Sequence, residues 1–267
     1  MPRPLAVQLY SLREKAKEDF PGVLRTVADI GYAAVEPAGL WNYSPKEFRR
    51  ALDDLGLRMF TSHSPWANGS NDQEVIDVAG ELGLRYVVCG SPPADFADLD
   101  AMKRKADSVN RTQEVLAKAG LVLFQHNHDY EFQRMEDGRL KYEVYAELAP
   151  AVKFQIDAFW SSNFGANDPA EMVRKFAGRT VSLHIKDGTF AQDPSEFRMV
   201  DGYLDRKLKL VPLGTGQMDI PAIVAAAPAA VEALVVELDY CEIDMVEAIR
   251  RSYRYMVDQG LGVGRKP

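Results

Sequence analysis

The chain carries four histidines, His63, His126, His128 and His184, and each closes a short, mostly apolar run. Two of them stand one residue apart at the end of "LVLFQHNHDYEF". In "LHIKD", His184 precedes Lys186 by two residues and Asp187 by three. Asp157 closes "FQID", Glu36 closes "AAVE", Glu237 closes "LVVE" and Tyr10 closes "LAVQLY". A single histidine placed this way is most often a satisfied loop residue. All of a scarce residue type at equivalent places, beside Asp and Glu, calls for a shared purpose. Neutral imidazoles and carboxylates converging from separate strands are what a divalent cation needs, with Mn, Co, Zn, Fe and Mg not distinguished by these ligands. Side chains two apart on a strand project to one side, so His126 and His128 form one pair and His184 and Lys186 another. An imidazole or carboxylate there can take a proton near neutral pH, and a lysine can return one.

Other residues carry weaker signals. Gly214 and Gly216, in "PLGTGQMD", offer backbone amides to a phosphate or sugar, or simply turn the chain before a helix capped near Asp219. Trp160, in "DAFWSS", can stack on a sugar ring or pack on a rim. Trp41 and Trp66 are candidates for a pocket wall. Cys89 suits a small buried hydrophobe better than a nucleophile.

Eight strands are expected to hold these residues: Leu5–Tyr10, Ala34–Pro37, Arg58–His63, Tyr86–Gly90, Leu121–Asn127, Val152–Asp157, Thr180–Lys186 and Ala233–Leu238. Each is brief and nearly continuous in apolar residues, as in a parallel sheet covered on both faces. Helices are expected between them. Glu14–Ile30 ends at Gly31, and Ser44 caps a helix whose first residue is Pro45. Asn71–Leu82, Asp98–Ala119, a segment opened by Asp168 and Pro169, and Cys241–Gln259 complete the set. Glu131–Tyr142 reads as a hairpin around Asp137–Gly138, and Asp187–Pro212 as a long loop. This alternation over 267 residues fits one (β/α)₈ TIM barrel spanning residues 1–267. A doubly wound sheet would place a glycine-rich turn after the first strand, where Ser11–Leu12–Arg13 stands. In a TIM barrel the C-terminal ends of the strands carry the chemistry, and the residues above sit at those ends.

The 46% hydrophobic content supports a sizeable core. With 32 Lys and Arg against 39 Asp and Glu, the net charge is -7, which repels phosphate backbones and makes nucleic acid a poor partner. Two cysteines fit a reduced, cytoplasmic protein. No run reaches the roughly 18 apolar residues of a membrane span. A small carbohydrate is the expected partner, and homo-oligomerisation is left open.

In their order, "VQLYSLRE", "GYAAVEPAG", "HNHDYEF", "FQIDAFW", "LHIKDG", "PLGTGQMD" and "VVELD" resemble the sugar phosphate isomerase/epimerase family, the xylose isomerase-like TIM barrels, nearly end to end. The resemblance implies one divalent metal on His126, Asp157, His184 and Glu237. Many members carry glutamate at the position of His126, so this chain departs from the two-glutamate logic of the family's epimerases. The implied activity is isomerisation or epimerisation of a small keto-sugar through an enediolate. Glu237 or His126 would move the proton α to the carbonyl, and Lys186 would protonate oxygen. Tyr10, Glu36, His63, His128 and Trp160 would contact the substrate. The departure at His126 keeps a lyase or dehydratase of a keto-sugar, keto-inositol or 3-keto-glycoside close behind. A DNA-repair nuclease on this barrel would need many more histidines, and a sugar-binding module would need no metal.

Overall fold

A computed structural model describes residues 2–190, 198–200, 203–205 and 208–265. Its main sheet is parallel. The strands are β1 (Arg3–Gln8), β2 (Ala34–Glu36), β3 (Tyr86–Cys89), β4 (Val122–His126), β5 (Lys153–Asp157), β6 (Thr180–Ile185) and, later in the chain, β11 (Leu234–Val236). Their order around the sheet is β2, β1, β11, β6, β5, β4, β3. Their residues are buried almost throughout, which explains why they read as apolar runs rather than as alternations.

The expected strand Arg58–His63 forms only in part. Arg58 bridges Ala34, and the His63 N–H reaches Pro37 O at 2.8 Å. Beyond that the chain leaves the ladder, because Ser62 Oγ binds the Ser64 carbonyl and Pro65 has no N–H to give. Side chains hold this part of the wall instead: the Thr61 hydroxyl donates to Glu36 of β2.

Helices cover the outside. α1 (Arg13–Ile30) stops at Gly31, whose φ of 113° suits a residue without Cβ. α2 (Pro45–Asp54) opens with a capping box in which Ser44 and Glu47 satisfy each other's backbone N–H. α3 (Asp72–Leu82) and α4 (Leu99–Lys118, capped by Asp98) follow. Arg134 bridges Leu140 around Gly138, which agrees with the expected hairpin. The helix that follows it, α5 (Lys141–Leu148), was not expected; its apolar residues are too mixed with polar ones to show a face. α6 (Ala158–Ser161), α7 (Pro169–Lys175), α8 (Ile220–Ala226) and α9 (Met245–Asp258, capped by Asp244) complete the coat.

Asp187–Pro212 is not a plain loop. β7 (Asp187–Phe190) pairs antiparallel with β10 (Leu208–Val211), and β8 (Arg198–Val200) with β9 (Tyr203–Asp205). Residues 191–197, 201–202 and 206–207 of that stretch lie outside the described residues. A last strand, β12 (Gly262–Val263), pairs with Arg3 and Pro4 at the start of β1. No described helix is long and apolar enough to cross a membrane.

Candidate active site at the ends of the strands

Along each strand every second residue joins the same layer. Ala6, Ala34, Ala233 and Val235 form one small apolar cluster, apart from the main core between sheet and helices. Two residues further along come Gln8 of β1, Glu36 of β2 and Glu237 just past β11, all buried. Register brings neighbours face to face: Gln8 pairs with Glu36, Gln155 with Ser182 and Asp157 with His184. The polar layer therefore follows from the two-residue period of the strands, continued past the apolar layer.

Glu36 lies at the bottom of this layer. It is 1% exposed and accepts hydrogen bonds from Gln8 Nε2 at 2.6 Å, Gln155 Nε2 at 2.7 Å and His184 Nε2 at 2.6 Å, besides the one from Thr61. Burial alone would raise its pKa; the His63 and His184 rings bring it down to about 2. With both oxygens engaged, it has nothing to offer a sugar hydroxyl. Glu36, expected to contact substrate, does not line the pocket and sits here as a buried partner of His184.

His184 stands between two carboxylates, with Nε2 on Glu36 and Nδ1 2.6 Å from Glu237 Oε2. Burial opposes its protonation, but Glu36 and Glu237 raise it to about 10, so without a metal it is an imidazolium. Lys186, 1% exposed, reaches Asp157 Oδ2 and Glu237 Oε2 at 2.9 Å each and Asp239 Oδ2 at 3.0 Å. These carboxylates outweigh its burial and hold the ammonium charged. Glu237 is held well below the usual carboxylate range by Lys186 and His184, against the effect of its burial. Burial pushes Asp157 the other way, up.

Gln155 orders the imidazoles. Its amide Nε2 donates to Glu36 Oε2 and to Ser182 Oγ at 2.9 Å, so its carbonyl must face the rings. That oxygen lies 2.6 Å from His63 Nε2 and 3.0 Å from His126 Nδ1. Burial, with His63 and His184 nearby, pushes His126 well below the ordinary histidine range, so the ring is neutral. Its proton is then on Nδ1, toward Gln155, and Nε2 carries the lone pair.

These groups border a pocket of about 500 Å³. His63, His126, His128, Lys186, Glu237 and Asp239 supply its polar wall, and Tyr10, Trp66 and Trp160 its aromatic wall. Burial lowers His128 to about 4, with Lys186 adding to the effect. Trp41 is elsewhere, stacked on Phe20 at 4.6 Å. Cys89 is buried, and that burial pushes its thiol up to about 12, toward the neutral form.

Of the expected metal ligands, Asp157, His184 and Glu237 bring one donor atom each within 4.8 Å of one another. His126 falls in a second trio, with His63 and His184, at the same spacing. With Asp157 ionised, the four carboxylates of Glu36, Asp157, Glu237 and Asp239 outnumber the cations Lys186 and His184 by two charges. Asp157 Oδ2 is buried, and its close partner is the Lys186 ammonium at 2.9 Å. Three donors and an excess of two negative charges fit a divalent cation.

Asp239 and Gln155 escaped the sequence reading. Gln155 lies two residues before Asp157 on β5, so the strand period could have found it, whereas Asp239 lies in a bend beyond β11.

The xylose isomerase-like TIM barrel family model matches residues 24–255. The chain belongs to this family. No curated protein matches it, but solved structures do. A sugar phosphate isomerase/epimerase from Parabacteroides distasonis is 23% identical, with a TM-score of 0.71 over 96% of this chain and 94% of its own. The probable 3-DHS dehydratase AsbF of Bacillus anthracis is 11% identical, with a TM-score of 0.72 over 95% and 98%. The IOLI protein, solved with a zinc atom, is 17% identical, with a TM-score of 0.69 over 96% and 97%. At these identities the likeness is one of fold.

Proposed function

We propose that this protein is a divalent-metal-dependent isomerase or epimerase of a small keto-sugar or related carbohydrate. The observation that carries the reading is the buried cluster of Asp157, His184 and Glu237, of which Glu237 also lines a pocket with His126, Lys186 and an aromatic wall. Asp157, His184 and Glu237 would hold a divalent ion, which when bound would supply Lewis-acid polarisation of a carbonyl and its neighbouring hydroxyl. With His184 Nδ1 as ligand, Nε2–H still donates to Glu36, a carboxylate–histidine pair that fixes the ring. His126 adds an imidazole 4.9 Å from the His184 ring.

In this reading Glu237 and His126 exchange the proton α to the carbonyl. Glu237 offers a carboxylate that stays ionised, and His126 offers the Nε2 lone pair that Gln155 leaves open. Lys186 donates toward the developing oxyanion from a charge fixed by Asp157 and Asp239. Trp66, Tyr10 and Trp160 give the sugar ring flat faces to lie on, and His63 and His128 contact its hydroxyls.

A second reading, elimination by a lyase or dehydratase, is favoured by one feature. A neutral imidazole at 126 in place of a second carboxylate breaks the symmetry that two-sided epimerisation uses. Solvent deuterium separates the two: isomerase action adds one deuterium to the product, whereas elimination removes the mass of one water. Glu237→Gln is expected to lower kcat by at least ~10³-fold. Wild-type rates in that variant would remove Glu237 from the mechanism.

A further inference from the structure

His128 stands in the pocket wall, and the turn that carries it is held from behind. Its backbone N–H donates to Oε2 of the buried Glu131 at 2.8 Å. Its ring lies nearly parallel to that of Tyr130, 12° apart with centroids at 5.6 Å. The Tyr130 hydroxyl oxygen is 3.3 Å from Nδ1 of the same ring. That hydroxyl also donates to the Ser91 carbonyl. Ser91 is buried and fixed in turn, its Oγ accepting from Gln125 Nε2 at 3.2 Å. The Gln125 oxygen receives the Cys89 thiol at 3.4 Å and the Tyr145 hydroxyl at 3.3 Å, so its nitrogen end faces Ser91. A chain of hydrogen bonds thus runs from the core to the pocket and ends on one imidazole.

The protons along this chain decide what the imidazole presents. A hydroxyl has one proton to give, and its oxygen keeps lone pairs. The Ser91 carbonyl can only accept, so it takes the Tyr130 proton. The Tyr130 oxygen then meets Nδ1 with a lone pair, and Nδ1 must carry hydrogen. The opposite tautomer would set two lone pairs against each other at 3.3 Å. Among the described residues no carboxylate pairs with the His128 ring, in contrast to His63 and His184. The ring shares its pocket with the Lys186 ammonium, which disfavours a second positive charge. It therefore stays neutral, and a neutral ring with Nδ1–H has its lone pair on Nε2.

We propose that Tyr130 is a positioning residue that fixes His128 in the Nδ1–H form, so that Nε2 faces the pocket as an acceptor for a substrate hydroxyl. The role rests on the carbohydrate reading of the pocket and gives one of its contacts a direction. The test uses the full-length, zinc-loaded protein with nitrogen-labelled histidines. Long-range proton–nitrogen correlation spectra show which ring nitrogen carries hydrogen, and His128→Asn assigns the His128 signals. In the wild type, hydrogen is expected on Nδ1 alone. Tyr130→Phe keeps the stacked ring and removes the oxygen, so the hydrogen is expected to pass at least in part to Nε2. The signals of His63, His126 and His184 are expected to stay in place, which a general loosening of the fold would not allow. Turnover is followed with D-fructose, D-tagatose and a keto-inositol, as deuterium uptake from solvent or loss of water. For a probe that is turned over, Tyr130→Phe is expected to raise KM about three- to tenfold and to change kcat less, as the loss of one binding contact does. Hydrogen on Nε2 in the wild type, an unchanged His128 tautomer in Tyr130→Phe, or an unchanged KM overturns the proposal. Either of the first two alongside metal-dependent turnover leaves the carbohydrate reading standing. The expected tautomers without turnover of any probe overturn that reading and leave Tyr130 as the residue that sets the ring.

Discussion

Four backbone N–H groups converge on the buried Asp187 carboxylate, and Asp187→Asn tests what that convergence contributes. The substitution keeps size and shape but turns one acceptor oxygen into an NH₂ donor. Whichever way the amide lies, two of the four N–H groups lose their acceptor. If the NH₂ replaces Oδ2, it faces the amides of Gly214 and Gly216, donor against donor. If it replaces Oδ1, it faces those of Gly188 and Met218. A buried donor left without an acceptor costs ~1–3 kcal/mol. Because Gly214 and Gly216 are half-open to water, we expect a total of about 2–4 kcal/mol. At roughly 2–4 °C per kcal/mol for a domain of this size, the fall in Tm is about 5–15 °C. Urea unfolding followed by circular dichroism, with thermal scans alongside, measures both. Asp219→Ala, which removes the cap of α8 on Ala222 N nearby, is the control at about 1 kcal/mol. A loss in Asp187→Asn below ~0.5 kcal/mol, the range of ordinary surface changes, would refute the converging-amide account.

Three further outcomes are expected. Gly90→Ala places a methyl group against the Trp66 ring without backbone strain, so it should raise KM for the true substrate several-fold and leave kcat within about twofold, as lost uniform binding does; unchanged steady-state kinetics would mean that Trp66 is not a platform. Glu131 is buried, and this holds its carboxyl well above the ordinary value of 4.5; the native state then keeps a proton that the unfolded chain releases, and stability falls as pH rises above that value. Glu131→Gln removes this loss, so its urea midpoint should gain on the wild type between pH 5 and pH 8, and parallel curves would contradict the assignment. Metal binding should release about one proton at pH 7.5, since His184 must give up Nδ1–H to become a ligand; calorimetry in buffers of different ionisation enthalpy counts it, and a count near zero would remove His184 from the ligand set.

What the sequence made legible lies at the strand ends. Asp157, His184, Lys186 and Glu237 were legible because they close apolar runs, whereas Gln155 and Asp239, each two residues from one of them, were not. The residues that went astray did so for identifiable reasons. Glu36 is a carboxylate at a strand end like Glu237, and only the contacts of Gln8, Thr61 and Gln155 show it buried below the pocket. The segment from Arg58 has a strand's composition, yet Pro65 and the Ser62 hydroxyl remove it from the ladder. The glycines of "PLGTGQ" signal a cradle in sequence, but not that Asp187, 27 residues before Gly214, already fills it. The pairing of β7 with β10 was hidden because antiparallel partners far apart in the chain leave no local periodicity.

The Gln155 amide has a consequence beyond holding two rings. An amide has a direction, and Glu36 and Ser182 can accept only from its nitrogen end while its oxygen receives both His63 and His126. Its orientation is therefore the polarity of the whole barrel interior, with protons pointing inward along one arm and lone pairs left at the far nitrogens of both rings. Turned end for end, the group would set its oxygen against the Glu36 carboxylate, which has no proton to give, so only one seating satisfies these contacts. The tautomers of both rings are set by the seating of a side chain that never ionises.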